Sequence, residues 1–536
     1  MNTNPTILSI KDLNVTYTQG STLTPIVKAV SFDVMRGKVL GITGESGSGK
    51  SITALSIMGL SGFYEGLKAT GTVIFNNEDI KLDQESIWQQ YRGKKISLIL
   101  QQPELALNPN IRCGHQIVEA ILIHKNKVHK KEARALAHQL IKDVGLDDGD
   151  RIYSAYPHQL SGGQLQRIVI AMAITHRPDI IIADEATSSL DARTAALIVS
   201  LMMDIKNKYG CAIIWITHDI KLLRDISDDI VLFQHGEIID RFPNISSSYP
   251  RSSAYAEQYI NSPLDKIPFR QIRKVVPDHP VLTLNGVRKT YQSERFLFYK
   301  PKYINVAVKG ISLILRKGSS LGILGESGSG KSTMGKLIAG VVPATAGIMH
   351  FEGHELSINS FKAEPNLRKK IQIVFQDALS SMNPKMTVFQ QFDELITYHR
   401  LNKANKNVGE MINDILGKMA LPESILHRYP AQLSGGQRQR VVMAKAFLLD
   451  PELIIFDESL SALDIFNQKL MIDLMISMQE SADFSMIFIS HDPNLIKATC
   501  TDVIIMSEGE IKEQGMVTDV FSNPKHPYTR QMLSMS

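Results

Sequence analysis

Short apolar runs without polar alternation recur along the chain. In its first half they occupy residues 38–43, 180–183 and 212–217, and they are rich in β-branched residues. Runs of this kind are typical of strands that are buried on both faces of a parallel sheet. Helical patterns lie between them, for example after Lys50 and over residues 164–175. Strands that alternate with helices predict an α/β fold.

The same order of motifs appears twice. The octapeptide GESGSGKS begins at Gly44 and at Gly325, and each copy is followed by LSGGQ, by an apolar run ending in Asp-Glu and by another ending in His-Asp. The last three motifs are each separated from their counterparts by 273 residues, which indicates duplication of one module. We predict module 1 at residues 1–262, a proline-rich linker at 263–280 and module 2 at 281–536.

Length and composition agree with two folded domains. The 536 residues exceed the roughly 250 to 300 residues that one hydrophobic core usually holds. Apolar residues make up 43% and charged residues 21%, which is the balance of a folded protein. The net charge of +5 arises from 59 basic and 54 acidic residues, a small excess that argues only weakly for a nucleic-acid partner.

The spacing of the cysteines and the hydropathy of the chain indicate the cellular compartment in which the protein works. Cys113, Cys211 and Cys500 are far apart and show no CxxC spacing, which argues against a disulfide framework or a zinc site and favours a reducing cytosol. No run approaches the roughly 18 apolar residues of a membrane-spanning helix, and the N-terminus lacks a basic region followed by an apolar stretch. We therefore expect any role at a membrane to act through partner proteins.

The octapeptide satisfies the P-loop pattern GxxxxGK[ST], and it follows a predicted strand and opens a predicted helix, as a P-loop does. Its glycines let backbone N–H groups cradle phosphates at a helix N-terminus. We expect Lys50 and Lys331 to reach the β- and γ-phosphates of ATP, and Ser51 and Ser332 to ligate Mg²⁺. The alternative, a glycine-rich turn with a chance lysine, is disfavoured by two copies in the same context.

Each Asp-Glu pair stands at the carboxyl end of a predicted buried strand, where open α/β sheets place their ligands. We expect Asp184 and Asp457 to hold the hydration shell of Mg²⁺, and Glu185 and Glu458 to orient and deprotonate the attacking water. Without the P-loops, an acidic strand end exposed to solvent would be the simpler interpretation. With them, the sequence predicts ATP hydrolysis.

The pentapeptide LSGGQ, at residues 160–164 and 433–437, is more discriminating, because most P-loop enzymes lack it. Through it the chain resembles a tandem ATP-binding cassette (ABC) ATPase, over both modules and some 500 residues. The resemblance implies an α/β class fold with two ABC modules. Each would have a P-loop core with a mixed sheet and an α-helical signature subdomain.

Four further pairs of residues match positions of this family. They resemble the aromatic residue that stacks on adenine, the glutamine that contacts Mg²⁺ and water, the aspartate that acts across the module interface and the histidine that senses the γ-phosphate. In that order they are Tyr17 and Tyr291, Gln101 and Gln376, Asp191 and Asp464, and His218 and His491. The nucleotide-binding set is completed by residues of the P-loops and pentapeptides: Gly44, Ser46, Gly47, Gly49, Ile52, Ser161, Gly162, Gly163, Gln164, Gly325, Ser327, Gly328, Gly330, Thr333, Ser434, Gly435, Gly436 and Gln437.

The resemblance implies ATP bound with Mg²⁺ at two sandwiched sites, where the P-loop of each module faces the LSGGQ of the other. Because both modules keep all the reacting groups, we predict two competent sites. The implied partners are two transmembrane permease subunits and, through them, an extracytoplasmic substrate-binding protein, with no nucleic acid. The implied location is peripheral, at the cytoplasmic face of the bacterial cell membrane.

A subgroup is indicated by the tail NPKHPYTRQML at residues 523–533, which resembles the closing motif of oligopeptide, dipeptide and nickel importer ATPases. The motifs LALNP and SSMNP, which follow the two glutamines, resemble that group as well. The tail of module 1, residues 247–260, is a degraded version of the motif. Ala186, Ser459 and Ala378 stand where the family usually has proline, which affects loop stiffness and not the reacting groups.

Two other functions stay open: a tandem ABC protein that acts on ribosomes or DNA, and an exporter ATPase. The first usually has a long linker or an inserted domain. The linker predicted for this chain has 18 residues, and the glutamines precede the signature serines by only 60 and 58 residues. The tail and the motifs after the glutamines argue against an exporter. For an importer, a short peptide is the first choice of cargo and nickel or a metal chelate the second.

Overall fold

Two β-sheets and a set of helices form within each of two units, residues 1–263 and 264–536, of this computed structural model. The structure describes residues 5–19, 22–124, 128–188, 190–243, 254–261, 269–270, 279–292, 304–364, 366–401, 407–461 and 463–534. Most of the predicted linker, 263–280, lies outside the described residues, as does the first half of the segment 247–260.

Unit 1 contains strands β1 to β10. They are β1 (Thr6–Gln19), β2 (Thr22–Met35), β3 (Val39–Gly44), β4 (Leu67–Phe75), β5 (Glu78–Ile80), β6 (Ile96–Ile99), β7 (Ile180–Asp184), β8 (Ala212–Ile216), β9 (Asp229–Gln234) and β10 (Glu237–Pro243). Its helices are α1 (Lys50–Ile57), α2 (Glu85–Tyr91), α3 (Pro103–Ala106), α4 (Cys113–Leu122), α5 (Lys130–Asp143), α6 (Gly149–Ser154), α7 (Gly162–Ala173), α8 (Ala192–Tyr209), α9 (Ile220–Ile226) and α10 (Ala254–Asn261).

Unit 2 repeats this plan. Its strands are β11 (Pro280–Gln292), β12 (Ile304–Arg316), β13 (Ser320–Leu324), β14 (Ala346–Phe351), β15 (His354–Glu355), β16 (Ile371–Val374), β17 (Leu453–Asp457), β18 (Ser485–Ser490), β19 (Asp502–Ser507) and β20 (Glu510–Met516). Its helices are α11 (Lys331–Ile338), α12 (Ile358–Ala363), α13 (Leu367–Lys370), α14 (Val388–Tyr398), α15 (Val408–Lys418), α16 (Gly435–Leu448), α17 (Ile465–Ala482), α18 (Pro493–Thr499), α19 (Val517–Ser522) and α20 (Pro527–Ser534).

A six-stranded sheet forms the centre of each unit. Its order is β10-β9-β3-β8-β7-β6 in unit 1 and β20-β19-β13-β18-β17-β16 in unit 2. Only the edge strands β10 and β20 run antiparallel to their neighbours. Every residue of β3, β7 and β8 is buried, as expected for parallel strands covered on both faces. Because β8 lies between β3 and β7, the loops after these three strands meet at one edge of the sheet.

A second, antiparallel sheet packs on the first. Its order is β2-β1-β4-β5 in unit 1 and β12-β11-β14-β15 in unit 2. One apolar cluster of unit 1 joins residues of both sheets, for example Leu8 and Val73 with Ile42 and Ile214. The corresponding cluster of unit 2 is built in the same way. In each unit, the P-loop strand, β3 or β13, therefore belongs to the central sheet and packs one of its faces against the antiparallel sheet.

A helical part separates β6 from β7 in unit 1 and β16 from β17 in unit 2. In α5 the buried residues Ala133, Ala137 and Ile141 recur every fourth position, so one face of the helix packs on the neighbouring helices. The helices α3 to α7 share a core with β7 and β8. The predicted fold, an α/β core with a mixed sheet and a helical subdomain in each of two modules, is confirmed.

The described residues include three buried cysteines and no membrane-spanning helix. No helix among them is long and apolar enough to cross a bilayer. Cys113, Cys211 and Cys500 are buried and reduced. Burial raises the pKa of the Cys500 thiol to about 12, so this side chain is a small, unreactive core residue.

Candidate functional site: two nucleotide sites

The P-loop of unit 1 runs from the end of β3 into α1. The first glycine is pressed against β9, since a Cβ atom at Gly44 would lie 2.2 Å from the carbonyl oxygen of Phe233. The N-cap of α1 is Gly49 with a φ of 99°, and no side chain caps the helix. A side chain at either position would be strained or would overlap the backbone. An uncapped helix N-terminus behind glycines fits a phosphate group.

The P-loop lysines are held inside their loops. Lys50 is 5% exposed, and its Nζ donates to the carbonyl oxygens of Gly44 at 2.8 Å and Glu45 at 2.7 Å. Lys331 makes the same pair of hydrogen bonds in unit 2, at 2.7 and 2.8 Å. Each ammonium group therefore adds positive charge to a loop already lined with N–H donors.

A hydroxyl and a carboxylate meet next to each lysine. Ser51 Oγ donates to Asp184 Oδ1 at 3.0 Å, and Ser332 Oγ donates to Asp457 Oδ1 at 2.8 Å. Burial raises the pKa of Asp184 to about 6 and also raises the pKa of Asp457. Such oxygen donors are the ligands that Mg²⁺ prefers, and a cation would reverse the cost of burying the carboxylates. These residues therefore fit a Mg²⁺ ion.

The glutamates that follow have an unusual backbone. Glu185 and Glu458 both adopt a φ of 48°, in the left-handed region. Their N–H groups donate to Ile216 at 2.9 Å and Ile489 at 3.0 Å, which ties each glutamate to the adjacent strand. A non-glycine residue in this region costs about 1–3 kcal/mol, and such strain is concentrated at functional sites. The turn directs both carboxylates to the edge where the P-loops lie.

Each glutamate carboxylate contacts the predicted glutamine and histidine. Gln101 Nε2 donates to Glu185 Oε2 at 2.8 Å, and His218 Nδ1 lies 3.6 Å from Glu185 Oε1. In unit 2 the corresponding distances are 3.3 Å from Gln376 and 3.4 Å from His491. The structure therefore brings the P-loop, the acidic pair, the glutamine and the histidine together in both units.

The charges of these groups stabilise one another. Burial alone would raise the pKa of Glu185, but the hydrogen bond and charge of His218 and the charge of Lys50 outweigh it, and the pKa is lowered. Burial would lower the pKa of His218, but Glu185 outweighs it and the pKa is raised. The directions are the same for Glu458 and His491. In unit 2, Lys331 Nζ also lies 3.6 Å from Glu458 Oε1.

This pairing predicts a measurable shift of histidine titration. The Glu185–His218 pair stabilises the fold most between the ordinary pKa values of the two side chains. Its contribution falls when the pH drops through the lowered Glu185 pKa or rises through the raised His218 pKa. We expect Glu185→Gln to lower the pKa of His218, measured by NMR of ¹³Cε1-labelled histidine, with His218→Gln to assign the signal. The exposed His235 should not change. An unchanged His218 pKa in Glu185→Gln would contradict the pairing.

The signature pentapeptides open two other helices. Ser161 caps α7: its Oγ accepts the N–H of Gln164 at 3.4 Å, and Gln164 Oε1 accepts the N–H of Ser161 at 3.1 Å. Ser434 and Gln437 form the same capping box on α16, at 3.2 and 3.1 Å. The first-turn glycines leave these helix starts without bulky side chains.

The remaining predicted residues lie on other elements. Tyr17 and Tyr291 stand on the antiparallel sheets and are 38% and 40% exposed, so part of each ring is accessible for stacking. The amine of Lys289 lies 4.9 Å from the centre of the Tyr291 ring, a contact of unit 2. Asp191 and Asp464 are the N-caps of α8 and α17, and each accepts a backbone N–H, at 2.9 and 3.0 Å.

The sequence interpretation missed one serine beside each glutamate. Ser188 Oγ donates to the carbonyl oxygen of Glu185 at 2.9 Å and lies 3.5 Å from Gln101 Nε2. Ser461 makes the corresponding bond to Glu458, also at 2.9 Å. Both serines follow the glutamate by three residues. Aligning the two halves of the repeat would have found this pair.

The geometry and the repeat define the class of protein: a P-loop ATPase with two modules in one chain. Comparison with known families agrees with this class. The family model described as "ABC transporter" matches residues 27–188 and 308–461. The chain therefore belongs to the ABC transporter family, as one of its tandem ATP-binding proteins, and the family predicted from the pentapeptides is confirmed.

Relatives match along almost the entire chain. A peptidoglycan transport ATP-binding protein, YejF, of Agrobacterium fabrum is 34% identical over 539 residues, which cover 99% of this chain and 96% of that protein. A glutathione import ATP-binding protein, GsiA, of Salmonella paratyphi A is 33% identical over 557 residues, covering 98% and 89%. A solved dimeric structure of the ATP-binding cassette MJ0796 with ADP and Pi is 28% identical, with a TM-score of 0.41, and covers 45% of this chain and 100% of its own.

Proposed function

We propose that this chain is the ATP-hydrolysing subunit of an ABC importer and that its cargo is a short peptide. The observation that carries the proposal is similarity over nearly the full length to two ATP-binding proteins named for peptidoglycan transport and glutathione import. Glutathione is a tripeptide, and peptidoglycan contains peptide stems. A peptide-bearing cargo is the property that these two names share.

We propose the following division of labour among the site residues. Lys50 and Lys331 bind the β- and γ-phosphates of ATP, and the Ser–Asp pairs hold Mg²⁺, which would neutralise phosphate charge. Glu185 and Glu458 accept the proton of the attacking water, and they are ionised in spite of their burial because the neighbouring histidine and lysine charges outweigh it and lower the pKa. Gln101 and Gln376, which contact these carboxylates, orient the water, and the histidines hold the glutamates in place.

We further propose that the chain binds two ATP molecules, each between the P-loop of one module and the pentapeptide of the other. Both modules keep every reacting group, which supports two working sites. The pentapeptides open helices, and the glycine N–H groups of the first turn and the helix dipoles fit a γ-phosphate. Since both modules are in one chain, pairing would not depend on protein concentration.

A cleft in unit 1 is our proposed contact for a permease subunit. A cavity of about 530 Å³ is lined by parts of β6, α4 and α7 and by Asn108, which lies in the segment after Gln101. The buried amide of Gln116 shapes this segment by bonding to the N–H and carbonyl groups of Asn108, at 2.9 and 3.0 Å. Gln391 does the same for Asn383 in unit 2, at 3.3 and 3.2 Å. The protein would then act as a peripheral subunit at the cytoplasmic face of the membrane.

The test is reconstitution. The tagged chain is co-expressed with candidate permease subunits, purified and placed in proteoliposomes with a candidate substrate-binding protein. We expect the permeases to co-purify, and ATP to drive uptake of glutathione or other di- and tripeptides. Uptake of a Ni²⁺–histidine complex without peptide uptake would contradict the proposed cargo. Co-purification of ribosomes or nucleic acid without permeases would contradict the importer function.

A further inference from the structure

The closing helix of each unit reaches the P-loop of that unit. In unit 1, the hydroxyl of Tyr255 on α10 donates to Glu45 Oε1 at 2.8 Å. In unit 2, the hydroxyl of Tyr528 on α20 accepts the backbone N–H of Glu326 at 3.3 Å. Glu45 and Glu326 are the second residues of the two octapeptides. Equivalent helices thus use the same type of residue to contact the same position of the P-loop.

Hydrogen bonds within the closing motif of unit 2 position Tyr528. Glu513 on β20 accepts the backbone N–H groups of Lys525 and His526, at 2.9 and 3.0 Å, which fixes the turn before α20. His526 Nδ1 then accepts the N–H of Tyr528 at 3.1 Å. The histidine of this motif therefore orients the start of the helix, and Tyr528 packs against the core. The tail therefore places the hydroxyl group of Tyr528 against the P-loop.

Unit 1 lacks this histidine and proline, but its closing helix also places a tyrosine hydroxyl against the second residue of the P-loop. Besides Tyr255, α10 carries Tyr259, which is fully buried. The hydroxyl of Tyr259 lies 3.1 Å from Thr43 Oγ1, and the two tyrosine rings are 5.9 Å apart. Thr43 and Glu45 flank the first glycine of the P-loop. In unit 1, two tyrosines therefore contact the residues immediately before and after Gly44 in the sequence, Thr43 and Glu45.

The P-loop residues that contact the closing helices, Glu45 and Glu326, also accept hydrogen bonds from the P-loop lysines. Lys50 Nζ donates to the carbonyl oxygens of Gly44 and Glu45, and Lys331 Nζ donates to those of Gly325 and Glu326. The first glycine of this loop packs closely on β19, since a Cβ at Gly325 would lie 2.3 Å from the carbonyl oxygen of Met506. The start of the loop therefore contacts a strand end through Gly325 and the tail helix through Glu326.

We propose that Tyr255 and Tyr528 are positioning residues for ATP binding. They hold the second residue of each octapeptide, whose carbonyl oxygen accepts a hydrogen bond from the lysine ammonium group, and so they couple the closing helix of each module to its nucleotide site. The proposal rests on the proposed binding of ATP at these loops. The two hydroxyl groups contact the P-loop residues Glu45 and Glu326. We therefore expect their loss to lower the affinity for ATP and to leave the hydrolysis step unchanged.

The experiment removes only the hydroxyl groups from the full chain. Tyr255→Phe is made in a Lys331→Met background and Tyr528→Phe in a Lys50→Met background, so that one ATP site is measured at a time. Loss of one hydrogen bond should weaken binding of ATP with Mg²⁺ about 2- to 10-fold by calorimetry and raise KM by a similar factor, with kcat unchanged. Tyr64→Phe and Tyr398→Phe, at exposed tyrosines, serve as matched controls.

A double-mutant cycle separates positioning from general destabilisation. Glu45→Ala removes the acceptor of Tyr255, so its effect and that of Tyr255→Phe should not add. Glu326→Ala leaves the backbone N–H that Tyr528 uses, so Tyr528→Phe should keep its full effect in that background. Unchanged ATP affinity in both tyrosine variants, or an equal effect in the controls, would overturn the positioning role while the ATPase function stands. Absence of ATP binding in the wild type would overturn both.

Discussion

Replacing Glu185 and Glu458 together by glutamine is expected to reduce ATP hydrolysis about 100- to 10,000-fold, the usual contribution of a general base. Glutamine has nearly the same shape and can keep the hydrogen-bonded position, but it cannot accept the proton of the attacking water. The carboxylates contact Gln101 and Gln376 and lie at the loops after the parallel strands. ATP should still bind, because the P-loops are unchanged. Release of phosphate by the purified chain, alone and with its permeases, measures the effect.

The single variants test whether both sites work. If both glutamates act as bases, Glu185→Gln and Glu458→Gln should each remove a substantial part of the activity. The exposed Glu65 and Glu364, changed to glutamine, are matched controls in the two units. Full activity in one single variant, with complete loss in the other, would contradict two working sites. Full activity in the double variant would show that these residues are not the bases.

Replacing a P-loop lysine by methionine should remove one ATP site per chain. Charge-assisted hydrogen bonds contribute about 1.5–3 kcal/mol, so Lys50→Met or Lys331→Met should weaken ATP binding at its own site about 10- to 150-fold. Methionine fills similar space but carries no charge. Calorimetry with ATP and Mg²⁺ should give two sites for the wild type, one for each single variant and none for the double variant at the same ATP concentrations.

Controls for this experiment are lysines at exposed positions of each unit, Lys11→Met and Lys418→Met. Thermal unfolding should accompany the titration, because each lysine also bonds two backbone carbonyls of its loop. Weak binding without a change in unfolding temperature identifies a role in ATP binding. Retention of both sites in Lys50→Met would contradict the assignment of the P-loop in module 1.

The central strands were predictable because their sequences are short, continuous apolar runs. Residues 180–183 were predicted as a strand and β7 is Ile180–Asp184, and residues 212–217 correspond to β8 at Ala212–Ile216. Buried parallel strands bear continuous apolar runs, and glycines mark the turn into α1. The helix predicted at residues 164–175 begins two residues earlier, at Gly162, because Ser161 acts as its cap.

Contacts between distant residues were not predictable in the same way. Gln101 and Glu185 are 84 positions apart, and only the pairing of β6 with β7 brings them together. The family resemblance supplied both residues without their geometry. The caps formed by Asp191 and Asp464 could have been predicted locally, since aspartate before a helical pattern is a common N-cap.

The tail of module 1 departs from the closing motif but keeps its tyrosine. Its sequence lacks the histidine and proline of the closing motif, so the segment was interpreted as degraded. The structure shows α10 with Tyr255 at the same P-loop position that Tyr528 contacts in unit 2. The tyrosine makes the contact, whereas the histidine of the motif orients the start of the helix. A motif match weighs all its letters equally, although their physical contributions differ.

The left-handed backbone of Glu185 and Glu458 has a consequence for evolution and engineering. Asparagine adopts this conformation more readily than glutamate, so a chain with asparagine at either position should fold with less strain while losing the long carboxylate. The same substitution would remove the partner of His218 or His491, so the relief of backbone strain is set against the loss of a stabilising pair. The unfavourable backbone at these two positions is therefore linked to the side-chain contacts that the site needs, and an engineered variant that relaxes the turn would lose both the carboxylate and its contacts.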